Sequence, residues 1–134
     1  MREAGWWSPA LSRRMELKVY GHSGRSILLF PTAGGVCTEA EERGLVDAIG
    51  HLLEEGRFRL YCCGSVSGES WLAHDVPPSR KTEVQAAFDN YLVQELVPFM
   101  RHEANDALAR FIVTGASLGA YNAVNAHEIG RAHV

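Results

Sequence analysis

Apolar and polar residues alternate through Met15-Glu16-Leu17-Lys18-Val19-Tyr20, the period-two pattern of a strand with one buried face. Turn residues follow from Gly21 to Ser26. Ile27-Leu28-Leu29-Phe30 is then apolar throughout, as strands buried on both faces of a parallel sheet are. Pro31-Thr32-Ala33-Gly34-Gly35 ends that run and opens a loop. Over residues 39–55, Leu45, Ile49, Leu52 and Leu53 fall on one face, which predicts a single amphipathic helix. Thr38 stands at its N-cap and Gly56 just past its end. Residues 57–63 predict a strand, and 64–80 a long loop rich in Ser, Gly and Pro.

The longest helix is predicted over 82–102, where Val84, Phe88, Tyr91, Leu92, Leu96 and Phe99 form one stripe and Pro98 kinks the last turn. Residues 110–114 predict a strand and 118–127 a helix. Strand and helix alternate from residue 26 onward, which predicts an α/β fold with a mostly parallel central sheet and flanking helices.

Composition narrows the function. A chain of 134 residues, 46% hydrophobic and 22% charged, is one globular domain long. Thirteen Lys and Arg against sixteen Asp and Glu give a net charge of −3, with no basic block to contact nucleic acid. The apolar run at 27–30 is far short of the ~20 residues that a membrane helix needs. The N-terminus has no apolar stretch of signal-peptide length. Three cysteines, Cys37 and the adjacent Cys62 and Cys63, point to a reduced, cytoplasmic chain, and their spacing fits no zinc site.

The sharpest chemical signal lies between the last strand and the last helix: Gly115-Ala116-Ser117-Leu118-Gly119. G-x-S-x-G between a strand and a helix is the nucleophile elbow, a tight turn that exposes a serine hydroxyl above the sheet. Residues two before and two after the serine must lack bulk, a need that Gly115 and Gly119 meet. Oxyanion N–H donors are expected from the residue after the serine, Leu118, and from the loop after an earlier central strand. In that loop Pro31 has no N–H, so Thr32 is the first candidate and Ala33 the second. Glu69, Ser70 and Trp71, with His74 nearby, share the long loop on the same sheet edge and are candidates for a substrate pocket.

Taken together, Phe30-Pro31-Thr32-Ala33-Gly34-Gly35, Gly68-Glu69-Ser70-Trp71, Glu95-Leu96-Val97-Pro98-Phe99 and Gly115-Ala116-Ser117-Leu118-Gly119-Ala120-Tyr121 resemble the esterase branch of the α/β-hydrolase superfamily. That group is related to esterase D and S-formylglutathione hydrolase. The resemblance implies a serine hydrolase acting on small-molecule carboxylic esters or thioesters, without metal or organic cofactor. It also implies a strand order with 27–30 at the centre, flanked by 57–63 and 111–114. Residues 15–20 would run antiparallel outside 57–63, and further strands would lie beyond 111–114. The chain departs from better-known members in having Phe30-Pro31 where many carry His-Gly.

A triad in this fold runs Ser, then Asp or Glu, then His. Downstream of Ser117 the only carboxylate is Glu128 and the only histidines are His127 and His133. Helix rise alone puts His127 about 15 Å from the serine. The ending Ile129-Gly130-Arg131-Ala132-His133-Val134 resembles a translated sequencing adapter. Residues 1–127 are therefore expected to be the N-terminal part of a single, incomplete α/β-hydrolase domain, and 128–134 an adapter-derived tail. Such a fragment would lack its acid and base and be nearly inactive. His22 and His51 are expected at the surface. Two other functions stay open: an acyltransferase with the same nucleophile, and a non-catalytic α/β module that binds an anion or other ligand on the turn and helix N-terminus.

Overall fold

A computed structural model describes residues 1–132. Five strands form one sheet: β1 (Arg2–Ser8), β2 (Arg13–Tyr20), β3 (Arg25–Phe30), β4 (Phe58–Cys63) and β5 (Phe111–Gly115). Their spatial order is β1-β2-β4-β3-β5. β3 pairs in parallel with both neighbours, Ile27 lying opposite Leu60 of β4 and Ile112 of β5. β2 runs antiparallel to β4, with Leu17 opposite Cys63, and to β1, with Met15 opposite Trp6. The expected order of four strands holds, but the sheet is mixed rather than mostly parallel. Half of its pairings are antiparallel, because β1 and β2 form a local hairpin that needs no crossover helix.

β1 was not visible in the pattern. Its residues, Arg-Glu-Ala-Gly-Trp-Trp-Ser, do not alternate cleanly, and Trp7 stays exposed while Ala4 and Trp6 pack on the core.

Period-two alternation sorts the strand side chains onto two cores. Met15, Leu17, Val19, Leu28, Phe30, Tyr61 and Cys63 face one side, against Phe88, Tyr91, Leu96 and Met100. Tyr20, Leu60 and Cys62, with Ile27 and Leu29 partly buried, face the other, against Ala40 and Leu53. Helices cover both faces, which is why β3 reads as continuously apolar.

The single helix expected over 39–55 is three short ones: α1 (Glu39–Glu42), α2 (Leu45–Ala48) and α3 (Gly50–Glu54). Gly44 has a φ of 79°, a left-handed value that ends α1. Thr38 occupies the N-cap position, but its hydroxyl donates to Glu42 Oε1 at 2.9 Å rather than accepting from a helix N–H.

The long helix also differs from its expected form. α4 (Pro78–Tyr91) starts four residues earlier than its stripe suggested, with Pro78 in its first turn, where proline's missing N–H is harmless. A π-helical turn over Leu92–Leu96 then leads into α5 (Val97–Glu103). Pro98 follows that turn, and the wider spacing relieves the clash of its ring with the carbonyl four residues back. The last helix is α6 (Leu118–Ala132).

Glu95, on the π turn, ties this helix to the hairpin. Its carboxylate accepts from Trp6 Nε1 and Ser8 Oγ, both at 2.8 Å, and from the Ala10 N–H at 3.1 Å. Trp6 in turn packs on Phe99, with ring centroids 5.0 Å apart. Removing the carboxylate leaves three donors without an acceptor at a half-buried site. Glu95→Ala should therefore lower unfolding free energy by about 3 kcal/mol, read from urea denaturation followed by tryptophan fluorescence. Glu95→Gln, which keeps an acceptor oxygen, should lose less. Equal midpoints for wild type and alanine variant would show that the hairpin holds without this tie.

Candidate active site

β5 ends at Gly115 and α6 begins at Leu118, so the chain passes from strand to helix over Ala116 and Ser117. Ser117 has a φ of 57°, a left-handed backbone that costs a non-glycine residue about 1–3 kcal/mol. Gly119 N–H donates to the Ala116 carbonyl at 2.9 Å, and Ala120 and Tyr121 N–H donate to the Ser117 carbonyl at 2.9 and 3.3 Å. Ser117 is exposed. Leu118 opens the helix, where first-turn N–H groups have no acceptor within the helix itself.

The two glycines are needed for different reasons. A Cβ on Gly115 would lie 2.4 Å from both the carbonyl carbon and oxygen of Gly119. A Cβ on Gly119 would lie 2.6 Å from the carbonyl oxygens of Phe30 and Pro31. Gly115 lets the turn close on itself. Gly119 lets it close on the end of β3, which brings the serine turn against the 31–35 loop.

Within that loop Thr32 is fully engaged. Its N–H donates to Glu39 Oε2 at 2.8 Å, its hydroxyl donates to Glu39 Oε1, and its carbonyl accepts from the Gly35 N–H at 2.9 Å. Burial pushes the Glu39 carboxyl up. The Thr32 hydroxyl and N–H, with Arg43 nearby, outweigh it and hold the group below the ordinary 4.5. Ala33 is exposed, and its N–H has no backbone acceptor among the described residues.

The pocket candidates separate. Trp71 meets Tyr121, one turn beyond Ser117, edge to face with centroids 5.9 Å apart. Its Nε1 donates to Gln85 Oε1 at 3.2 Å, and Gln85 Nε2 donates to Asp89 Oδ1 at 3.0 Å. Asn125 Nδ2, on α6, donates to that same oxygen at 2.8 Å. Burial raises the Asp89 carboxyl against the pull of these two amides. Ser70 is buried, with no hydrogen-bond partner for its hydroxyl among the described residues. Glu69 is exposed and pairs with Arg13, whose guanidinium holds its carboxyl below 4.5 against the opposing effect of burial.

Glu39, Gln85, Asp89 and Asn125 do not stand out in the sequence, and Tyr121 appears there only as the last residue of the serine motif. Only the i, i+4 spacing of Gln85 and Asp89 on one helix hinted at a pair. Among the described residues, no hydrogen bond joins a histidine to Ser117. His127 is exposed near the far end of α6, and His22 Nε2 lies 3.2 Å from the Glu54 carbonyl oxygen. His51 and His74 are also exposed. His133 and Val134 lie outside the described residues. Among the described residues, no group of three His, Cys, Asp or Glu could hold a metal ion. Nor, among them, is any helix long and apolar enough to cross a membrane.

No family model and no curated protein matches the sequence. Solved structures do match, at low identity. A ferulic acid esterase superposes with a TM-score of 0.68 and 16% identity over 92% of this chain and 51% of its own. S-formylglutathione hydrolase from Agrobacterium tumefaciens gives 0.66 and 15% over 92% and 51%. The Staphylococcus aureus S-formylglutathione hydrolase gives 0.55 and 10% over 90% and 48%. The chain therefore shares the fold of these solved structures over most of its own length, and it spans about half of theirs.

Three substitutions test the geometry of the turn and its helix. Gly119→Ala should destabilise by about 2–3 kcal/mol in urea denaturation, because its Cβ meets fixed carbonyls. Gly130→Ala on the same helix, where a Cβ meets nothing within 4 Å, should stabilise by about 0.5–1 kcal/mol. Ser117→Gly should also stabilise, by about 1 kcal/mol, by removing the left-handed strain. A neutral or stabilising Gly119→Ala would refute the close approach.

Acid should weaken the contacts of two carboxylates, Glu39 at the 31–35 loop and Glu69 on Arg13. Glu39 and Glu69 have folded-state pKa values below 4.5, so the stability they contribute is whole above about pH 5 and is lost as pH falls through the depressed values. The double variant Glu39→Gln, Glu69→Gln should show a flatter urea midpoint between about pH 5 and 3 than wild type.

Proposed function

We propose that Ser117 is the nucleophile of an ester or thioester hydrolase. The observation that carries this is the left-handed Ser117 held between two glycines whose closeness presses the turn onto the β3 loop. Strain of that kind persists only where surrounding contacts over-determine it, and it clusters at sites of function. The esterase fold of the matching structures supports the same assignment.

In the proposed reaction, Ser117 Oγ attacks the substrate's carbonyl carbon and gives its proton to a base. The carbonyl π pair moves onto oxygen, where the Leu118 N–H and a loop N–H stabilise it. The pair then returns, the bond to the alcohol or thiol breaks, and that leaving group takes the proton. Water repeats the sequence on the acyl-enzyme and frees the acid. In this reading the base and its orienting carboxylate follow the serine in chain order, as triads in this fold do, and His127, which the rise of α6 carries about 15 Å from Ser117, is not the base. Trp71 lines the acyl or alcohol pocket beside Tyr121. The free thiols Cys37, Cys62 and Cys63 support a reducing, cytoplasmic setting.

The full-length protein should hydrolyse p-nitrophenyl esters, and Ser117→Ala should lower kcat by about 10⁴-fold or more. The 134-residue chain should match that alanine variant within about tenfold, because an unassisted serine hydroxyl is a weak nucleophile. Turnover by the 134-residue chain at the full-length rate would place a base among its own residues. Equal rates for the full-length wild type and Ser117→Ala would remove the nucleophile assignment.

A further inference from the structure

The loop that faces the serine turn is held by a carboxylate from the next helix. Glu39 is the first residue of α1, and its side chain is only 17% exposed. It takes both hydrogens that Thr32 can donate, one to each oxygen. Arg43 Nε stands 3.9 Å from Oε1 and balances its charge. Gly35 completes the arrangement, since a Cβ there would lie 2.8 Å from both Glu39 Oε1 and Pro31 Cβ. The clamp thus fixes both ends of the four-residue turn from Thr32 to Gly35, and the Pro31 carbonyl just before that turn sits against Gly119.

We propose that Glu39 is a positioning residue for ester cleavage: by binding Thr32 it sets the loop so that the Ala33 N–H, and not that of Thr32, completes the oxyanion site with Leu118. This rests on the esterase role of Ser117. The reasoning is electrostatic. A backbone amide has one hydrogen, and Thr32's already lies on a carboxylate oxygen at 2.8 Å. An oxyanion drawn to that same hydrogen would approach the Glu39 carboxylate, and two like charges at hydrogen-bond distance repel. Freeing Thr32 would also leave a shielded carboxylate without its two donors. The Ala33 N–H carries neither penalty. Ala33 is an exposed residue whose N–H has no backbone acceptor among the described residues, it lies one residue further round the turn, and its peptide plane is fixed because Thr32 on one side and Gly35 on the other are both held.

The test uses the full-length protein labelled uniformly with ¹⁵N in a deuterated background. Reaction of Ser117 with a fluorophosphonate expels fluoride and leaves a phosphonyl oxygen where the oxyanion would form. On labelling, the Ala33 and Leu118 amide protons should move downfield, while Thr32 keeps the shift it has in the free protein. A downfield move at Thr32 or Gly34 in place of Ala33 overturns the proposal. Failure of the probe to label Ser117 while labelling a control esterase overturns the esterase assignment instead, so the two failures are distinct.

Kinetics supply the second arm. Glu39→Ala should lower kcat for a p-nitrophenyl ester by about 10- to 100-fold with KM within about threefold, because a misplaced donor is felt in the transition state. Glu39→Gln, which keeps one acceptor oxygen, should recover most of the loss. Faster turnover by Glu39→Ala would mean that the carboxylate blocks the site rather than sets it. An equal loss in both variants, or one confined to KM, would also overturn the positioning role.

Discussion

Everything near Ser117 depends on one close approach, that of the Gly119 backbone to the carbonyls of Phe30 and Pro31. A side chain of any size at 119 would lift α6 off the end of β3. The consequence would reach three elements, because α6, β3 and β5 all meet there and β5 is hydrogen-bonded to β3 through Phe30 opposite Gly115. Close packing of this kind transmits displacement rather than absorbing it. The left-handed serine is the local counterpart of that fit: the turn is too tight for an ordinary backbone, and the strain is held by the packing on either side.

Two carboxylates act as ties in this molecule. Glu95 joins a π turn to the N-terminal hairpin through Trp6, Ser8 and Ala10. Glu39 joins α1 to the loop beyond β3 through Thr32. In each case an acidic side chain accepts from a backbone N–H and from side-chain donors, which specifies a geometry more sharply than apolar contact can. Glu39 also differs from its neighbours: Glu42, one turn on, is exposed, and among the described residues its carboxylate bonds only to Thr38.

What was legible in the sequence followed simple periods. β2 alternated because one of its faces is buried, and β3 was uniformly apolar because helices cover both of its sides. The serine turn was legible because glycine spacing there is a steric necessity. What escaped was tertiary. β1 has no clear alternation of its own, and Trp6 is placed by a glutamate 89 residues away. The helix expected over 39–55 broke at Gly44, whose positive φ a 3.6-residue pattern does not register. Glu39 looked like one acid among several at the start of a helix, and only the fold brings Thr32 to it.

The pairing of β3 with β5 has a consequence for how the chain reaches this arrangement. Ser26 lies opposite Phe111, so the two strands that carry the serine turn and its facing loop enclose β4 and most of the helices between them. By contrast, β1 and β2 meet through a short connection. Closing the longer segment costs conformational entropy before any contact at the turn can offset it. The strained conformation of Ser117 is therefore conditional on long-range assembly: the hairpin can form early from its own neighbours, whereas the left-handed turn exists only after the intervening chain has folded between its two halves.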